Sequence, residues 1–303
     1  MLACTPAQAQ KKELSQARTY IKSGKDYDKA EQLMVQLLQD EANRDNRRIY
    51  LTWYDAVMGQ YQAANEKLYL KQVYDTAAFF NLTQRMFQIT ETLDSLESRP
   101  DEKGRIRHDY RKSHAETMNQ LRPNLYYGGT YNLRRNHYDE AFRFFDIYID
   151  ASRQPLFTGY DYALRDSLLP TAAYWATLCG YRMQSPERTL QYSQLALQDA
   201  GKAEYVRQYI CEAYSLLGND SAYVAALADG FSHHPDYPYF FPRLVDHYSA
   251  LGRYDTTLQL ADQALAQLPG KPLFLLAKSV ALLNLERYDE CRLVSKELIA
   301  KAD

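Results

Sequence analysis

Little in this chain points to chemistry or to a membrane. Its 303 residues include only 12 glycines and 11 prolines, which excludes a collagen-like or loop-dominated chain. No run of roughly 18 apolar residues occurs, so no segment is suited to crossing a bilayer as a helix. The four cysteines form no CxxC pair; a disulfide framework or a zinc ribbon would need closely spaced partners, and Cys179, Cys211 and Cys291 read instead as small core residues. A formal net charge of −2 gives no overall attraction to nucleic acid or anionic lipid. There is no phosphate loop, no dinucleotide-binding glycine fingerprint, no GxSxG elbow and no HExxH helix. The expectation is a protein that is not an enzyme and has no cofactor, no metal, no nucleic-acid partner and no transmembrane segment. His233-His234, with Asp236, Asp246 and His247 nearby, lacks a spacing that puts ligands on one helix face. It precedes Pro235, where an imidazole at a helix end satisfies terminal carbonyls.

What the chain does have is tyrosine, 27 in all, and a recurring box: Tyr-Asp, any residue, then a small one. Five copies are Tyr27 to Ala30, Tyr74 to Ala77, Tyr138 to Ala141, Tyr254 to Thr257 and Tyr288 to Cys291. The last two lie 34 residues apart, an interval shared by Pro235/Pro269, Gly218/Gly252 and Tyr214/Tyr248. That is the period of a helix-turn-helix repeat that stacks into a solenoid.

Residues 170–303 divide into four units of 34, starting at 170, 204, 238 and 272. Position 20 of each reads Thr189, Tyr223, Thr257 and Cys291, position 27 reads Ala196, Gly230, Ala264 and Leu298, and position 32 reads Gly201, Pro235, Pro269 and Asp303. Small residues recur where neighbouring helices approach within a methyl group of one another. Gly218 and Gly252 mark turns that need positive φ, and Pro235 and Pro269 separate units because proline ends one helix and tolerates the start of the next.

This pattern resembles the tetratricopeptide repeat family, whose unit favours an aromatic or Leu at position 4, Leu at 7, a small residue at 8, Tyr at 11, Gly at 15, Tyr at 17, Ala at 20 and 27, and Pro at 32. The third unit matches best, through Phe241, Leu244, Tyr248, Gly252, Tyr254, Ala264 and Pro269, with Val245 and Thr257 larger than usual. In the first unit Tyr181 is one residue out of register, which implies a shorter turn around Ser185-Pro186. The resemblance implies an all-α fold, a right-handed α-solenoid of stacked antiparallel helix pairs. It is strong over 170–303 and loose over 13–169, where divergent pairs with insertions are expected.

In that upstream part, 13–40 and 122–152 look like units with one extra residue in the turn. Residues 46–97 look like a lengthened pair, with helices from Tyr50 to Tyr61 and from Tyr74 to Leu96 and a break at Asn65-Glu66. A loop at 97–104, a helix from Arg105 to Gln120 and a second insertion at 156–167 complete it. In the basic run 103–114, Lys103, Arg107 and Arg111 would line one stripe if the run were helical. Residues 1–10 read as a signal-peptide remnant or a terminal tail: Ala7-Gln-Ala9 has small residues where a signal peptidase reads, and Leu2-Ala3-Cys4 is a degenerate lipobox. The expected location is exported, periplasmic or envelope-associated, and cytoplasmic if those residues are no leader.

The resemblance also implies which residues face the concave groove. These are Tyr174, Leu178, Tyr181 and Arg182 in the first unit, Tyr205, Gln208, Glu212 and Ser215 in the second, and Tyr239, Asp246 and Ser249 in the third. The final unit puts Leu273, Leu276, Val280, Leu283 and Asn284 there, an apolar stripe for which a partner, another subunit or further residues are expected as cover. The function expected is a non-catalytic protein-binding scaffold or adaptor with a protein or peptide in that groove. The alternative is an envelope receptor for a glycan or small ligand, using Trp53 or Trp175.

Overall fold

In the computed structural model, whose described residues are 6–101 and 103–302, every regular element among the described residues is a helix. The chain divides into two compact units, Met1–Ala172 and Ala173–Asp303. Unit 1 contains α1 (Pro6–Ser23), α2 (Tyr27–Leu37), α3 (Arg47–Tyr69), α4 (Thr76–Glu97), α5 (Arg111–Leu133), α6 (Tyr138–Asp150) and the short α7 (Tyr162–Arg165). The boundary falls within α8 (Leu169–Arg182). Unit 2 continues through α9 (Pro186–Gln191), α10 (Ser193–Ala196), α11 (Ala203–Leu216), α12 (Asp220–His233), α13 (Phe240–Ala250), α14 (Tyr254–Gln267), α15 (Pro272–Asn284) and α16 (Tyr288–Ala302). From α1 to α6, and again from α11 to α16, each helix packs on the next.

Helices alternate with short reversals whose geometry repeats. Gly218 and Gly252 close two of these turns with φ of 64° and 67°, and Gln184, Asn136 and Glu286 take 54°, 60° and 58° at the equivalent points. A left-handed residue after the last helical turn redirects the chain at once; glycine does so without the Cβ clash that the other three tolerate. Four of the five Tyr-Asp boxes open a helix, at Tyr27, Tyr138, Tyr254 and Tyr288. Their small residues pack inward, with Ala30 and Ala141 fully buried and Thr257 nearly so. The fifth departs: Tyr74 lies before the helix, and Asp75 caps α4 by accepting a hydrogen bond from Ala78 N–H at 3.0 Å.

Close approach explains the small residues of the repeat. A Cβ on Gly230 would lie 2.3 Å from the Phe240 ring, and one on Gly180 would meet the backbone of Thr189 at 2.4 Å. In unit 1, Gly128 and Gly129 of α5 receive the rings of Phe144 and Phe145 of α6, both fully or almost fully buried. The core of unit 2 is aromatic, with Phe231, Phe241 and Phe274 in mutual contact at 4.5–6.3 Å.

Three upstream expectations are corrected. Asn65-Glu66 is no break, because α3 runs through it to Tyr69; the chain reverses at Lys71, where φ is 56°. Asn and Glu cost only tenths of a kcal/mol inside a helix, too little to end α3 at these exposed positions. The expected helix from Arg105 does not start there. Asp101 Oδ1 accepts from the N–H groups of Lys103 and Arg105, both at 2.9 Å, and Gly104 has φ 72°, which fixes a turn instead. Lys103, Arg107 and Arg111 therefore share no helical stripe. Finally, α5 passes straight over Pro123 rather than starting a new unit at 122.

The neighbour of that proline shows what holds α5 together. Arg122 is 5% exposed, its guanidinium lies between the rings of Tyr148 and Tyr162 at 3.8 and 3.9 Å, and it pairs with Asp166 at 2.6 Å and donates to the Tyr148 carbonyl at 3.0 Å. These contacts tie the segment after α6 to α5 and offset the hydrogen bond that Pro123 cannot donate. Residues 1–5, including Cys4, lie outside the described part; Pro6 to Gln10 form the start of α1. No helix among the described residues is long and apolar enough to cross a membrane.

Candidate functional site

The face of unit 2 formed by α8, α11 and the entry to α13 collects aromatic rings and polar groups. Helical spacing places Tyr205, Gln208, Tyr209 and Glu212 along adjoining faces of α11, since residues three and four apart are neighbours. Tyr181 stacks on Tyr209 with centroids 4.4 Å apart and planes at 18°. Tyr174 lies 6.5 Å from the same ring, with planes at 26°. Further along, Tyr205 meets Tyr237 edge to face at 5.8 Å, and the Tyr237 hydroxyl donates to Gln208 Oε1 at 2.6 Å. Rings locked by neighbours lose little entropy on contact with a partner, which suits them to recognition.

Burial sorts the expected residues into two groups. Tyr174 and Tyr239 are 7% and 6% exposed, whereas Tyr205 is 37% exposed and Tyr181, Gln208 and Glu212 are half-buried. Tyr239 turns inward because it precedes α13 as its N-cap residue. Its hydroxyl donates to Glu212 Oε1 at 2.7 Å, and the Arg243 guanidinium covers its ring at 3.7 Å. Burial first, and then the hydrogen bond to Glu212, raise its phenol far above the usual tyrosine range. Arg182 and Asp246 are exposed and Ser249 is half-buried; the Arg182 guanidinium lies 5.9 Å from the Tyr181 ring. Tyr209, Tyr237 and Arg243 complete the face without having been expected there. Tyr237 lies just ahead of a 34-residue unit, so position counting passed over it, although it opens the aromatic stretch Tyr237-Pro-Tyr-Phe-Phe-Pro-Arg243.

The apolar stripe of α15 is open. Leu273, Leu276, Val280 and Leu283 are 38%, 50%, 42% and 54% exposed, and the side chain of Asn284 turns back to donate to the Val280 carbonyl at 2.8 Å. His233, at the end of α12, behaves as a helix-end group: its Nδ1 lies 2.9 Å from the Asp229 carbonyl oxygen. Burial pushes the thiols of Cys179 and Cys211 up to about 12, so both are protonated at neutral pH.

One group of possible metal ligands lies elsewhere, in unit 1. Asp94, Glu97 and His108 bring three ligand atoms within 4.8 Å of one another. Both oxygens of Asp94 already accept from Arg111, at 2.6 Å from Nε and 2.8 Å from Nη2, so a cation there would have to displace a guanidinium. The trio is an ion-paired cluster rather than a ready ligand set.

No protein-family model matches this chain, and no curated protein matches it significantly. The fold and the face just described define it as an all-helical protein of consecutively packed helices, compatible with a helical repeat protein.

Proposed function

We propose that this chain is a non-catalytic tetratricopeptide-type scaffold, exported to the cell envelope, that binds an extended segment of a partner protein. The helix pairs would stack as a right-handed solenoid, with the face of α8, α11 and α13 as its groove. The observation that carries the reading is the pairing of accessible rings with fixed polar groups: Tyr181, backed by the buried Tyr209, and Tyr205 against Tyr237, beside Gln208 and Glu212. Aromatic anchors of this kind supply contact area at low entropic cost, and the adjacent amide and carboxylate give direction to a peptide backbone. The exposed leucines of α15 extend the same chemistry toward an apolar partner surface.

The test is selection from a displayed peptide library against the full chain. Enriched peptides should bind with micromolar or better affinity, and Tyr181→Ala with Tyr205→Ala should weaken them at least tenfold while leaving the helical circular dichroism unchanged. If binding is indifferent to both substitutions, the groove assignment is wrong. If glycans bind and peptides do not, with a change in Trp175 fluorescence, the receptor reading replaces the scaffold. Fractionation of native cells tests the location, since a cytoplasmic pool alone would overturn export.

A further inference from the structure

The turn between α3 and α4 carries apolar residues on its outside. Leu68, Tyr69, Leu70 and Val73 are 40%, 85%, 53% and 97% exposed. The backbone holds them there: Leu70 N–H donates to the Glu66 carbonyl and Gln72 N–H to the Lys67 carbonyl, both at 2.9 Å, and Lys71 takes a φ of 56°. On the far side Asp75 caps α4. Tyr74 is the first ring to turn back, packing edge-on to Phe79 at 6.1 Å. A turn closed at both ends cannot fold its apolar side chains onto the protein, so they stay in water until something else covers them. Lysines are set among them. Lys67 and Lys71 are exposed, and neither pairs with a carboxylate among the described residues. Lys25, from the turn between α1 and α2, lines one groove with Lys67 and Tyr74 at the base of the tip. Glu66 and Asp75 balance Lys67 and Lys71, so the turn has no net charge of its own.

We infer that this tip inserts into the interfacial layer of a lipid bilayer and anchors the chain there peripherally. A protein pocket shaped for these side chains would have to desolvate the ammonium groups of Lys67 and Lys71 or supply their counter-charges. A bilayer interface requires neither. The apolar side chains enter the acyl boundary, the Tyr69 hydroxyl stays at headgroup level, and the lysine stems run back along the tip to bring their ammonium groups to lipid phosphates. Because the turn is neutral, apolar burial carries the contact, and the phosphates of zwitterionic and anionic lipids serve the lysines alike. The tip lies in unit 1 and uses no residue of the unit 2 groove, so lipid insertion and peptide binding stand or fall separately.

Co-sedimentation of the full chain with phosphatidylcholine vesicles, alone and mixed with phosphatidylglycerol, tests this. Both should bind, within about threefold of each other, and binding should persist at high salt, which screens exposed charges but not apolar burial. Tyr69→Ser with Leu70→Ser and Val73→Ser changes only exposed side chains, so the thermal midpoint should hold while vesicle affinity falls at least tenfold. Tyr69→Trp should show a blue shift of emission on addition of vesicles that the parent, with Trp53 and Trp175 alone, does not. The proposal is overturned if the parent binds neither vesicle at millimolar lipid, if the triple variant binds as the parent does, or if salt alone abolishes binding. It is also overturned if the tip joins two copies of the chain instead, with the parent dimeric, the triple variant monomeric and vesicles unbound.

Discussion

The two units hold their helices together by different means. In unit 1 the contacts include buried charge: Glu31 accepts from Trp53 at 3.1 Å, Gln60 at 2.6 Å and Arg85 at 2.9 Å, and Arg122 lies between two tyrosine rings. The carboxylates paired with Arg85, Arg111 and Arg122 are 9%, 5% and 12% exposed. In unit 2, those paired with Arg207, Lys278 and Arg287 are 52%, 51% and 53% exposed, and the main core cluster is built chiefly of phenylalanine, alanine and leucine. A repeating array needs the same seam at each step, and small residues against rings provide one. Unit 1 has such seams too, at Gly128 and Gly129, but its helices are of unequal length, and directional bonds specific to each contact add to the register.

The strongest way to break this comparison is Arg122→Ala. It leaves Asp166 largely buried without its cationic partner, held only by the Tyr148 hydroxyl and the Leu168 N–H, and removes the plate between Tyr148 and Tyr162, so it should cost about 3–5 kcal/mol. Hydrogen exchange should show α5 and α6 losing protection before α13 and α14. Equal loss in both units would mean that they unfold as one and that the contrast has no energetic content. Arg122→Met with Asp166→Leu should recover much of the loss, because no charge is then left unpaired.

Glu91 sharpens the same contrast through pH. Burial, and then the charges of Asp150 and Asp146, raise its carboxyl from 4.5 to about 8. The folded state therefore favours the protonated form. This contribution is complete below about pH 4.5, declines as the pH rises toward 8 and is gone above it, at a slope of at most about 1.4 kcal/mol per pH unit. Glu91→Gln should flatten that decline in urea titrations across the range. Comparison with the parent chain isolates Glu91 from His114, whose pKa burial depresses and whose effect runs the other way. An unchanged pH profile would show that Glu91 is hydrated and charged.

In unit 2 the corresponding perturbation is steric. Gly230→Ala drives a methyl into the Phe240 ring, 2.3 Å from its nearest atom, and should cost about 1–3 kcal/mol through displacement of α12 from α13. Gly104→Ala, in open space, tests only the left-handed backbone and should cost about 1 kcal/mol.

These contrasts also account for what the sequence made legible. The boxes at Tyr254 and Tyr288 and the small residues at Gly230 and Ala264 could be placed because periodic packing leaves a periodic trace. Pro123 misled because its cost is met by Arg122, Tyr148, Tyr162 and Asp166, which are separated by up to 44 residues along the chain. The Asp101 turn misled because the basic residues after it look helical until the carboxylate claims two N–H groups. At the candidate site, position counting picks out residues of α8, α11 and the entry to α13, but which of Tyr237 and Tyr239 stays accessible depends on where α13 begins. That start, at Phe240, turns one ring inward and leaves the other beside Tyr205.

The smallest expected effects distinguish the buried from the exposed tyrosines on that face. Tyr239→Phe keeps the buried ring and removes one hydrogen bond to Glu212, so it should cost about 0.5–1.5 kcal/mol in denaturant midpoint and leave peptide affinity nearly unchanged. Tyr205→Ala removes a ring that is 37% exposed and should change stability by no more than about 0.5 kcal/mol, yet it should weaken a selected peptide several-fold. The two substitutions lie on neighbouring helices and report opposite quantities. If Tyr239→Phe proves the more damaging to binding, the Glu212 carboxylate it releases is the recognition group, and the exposed rings serve to shield it.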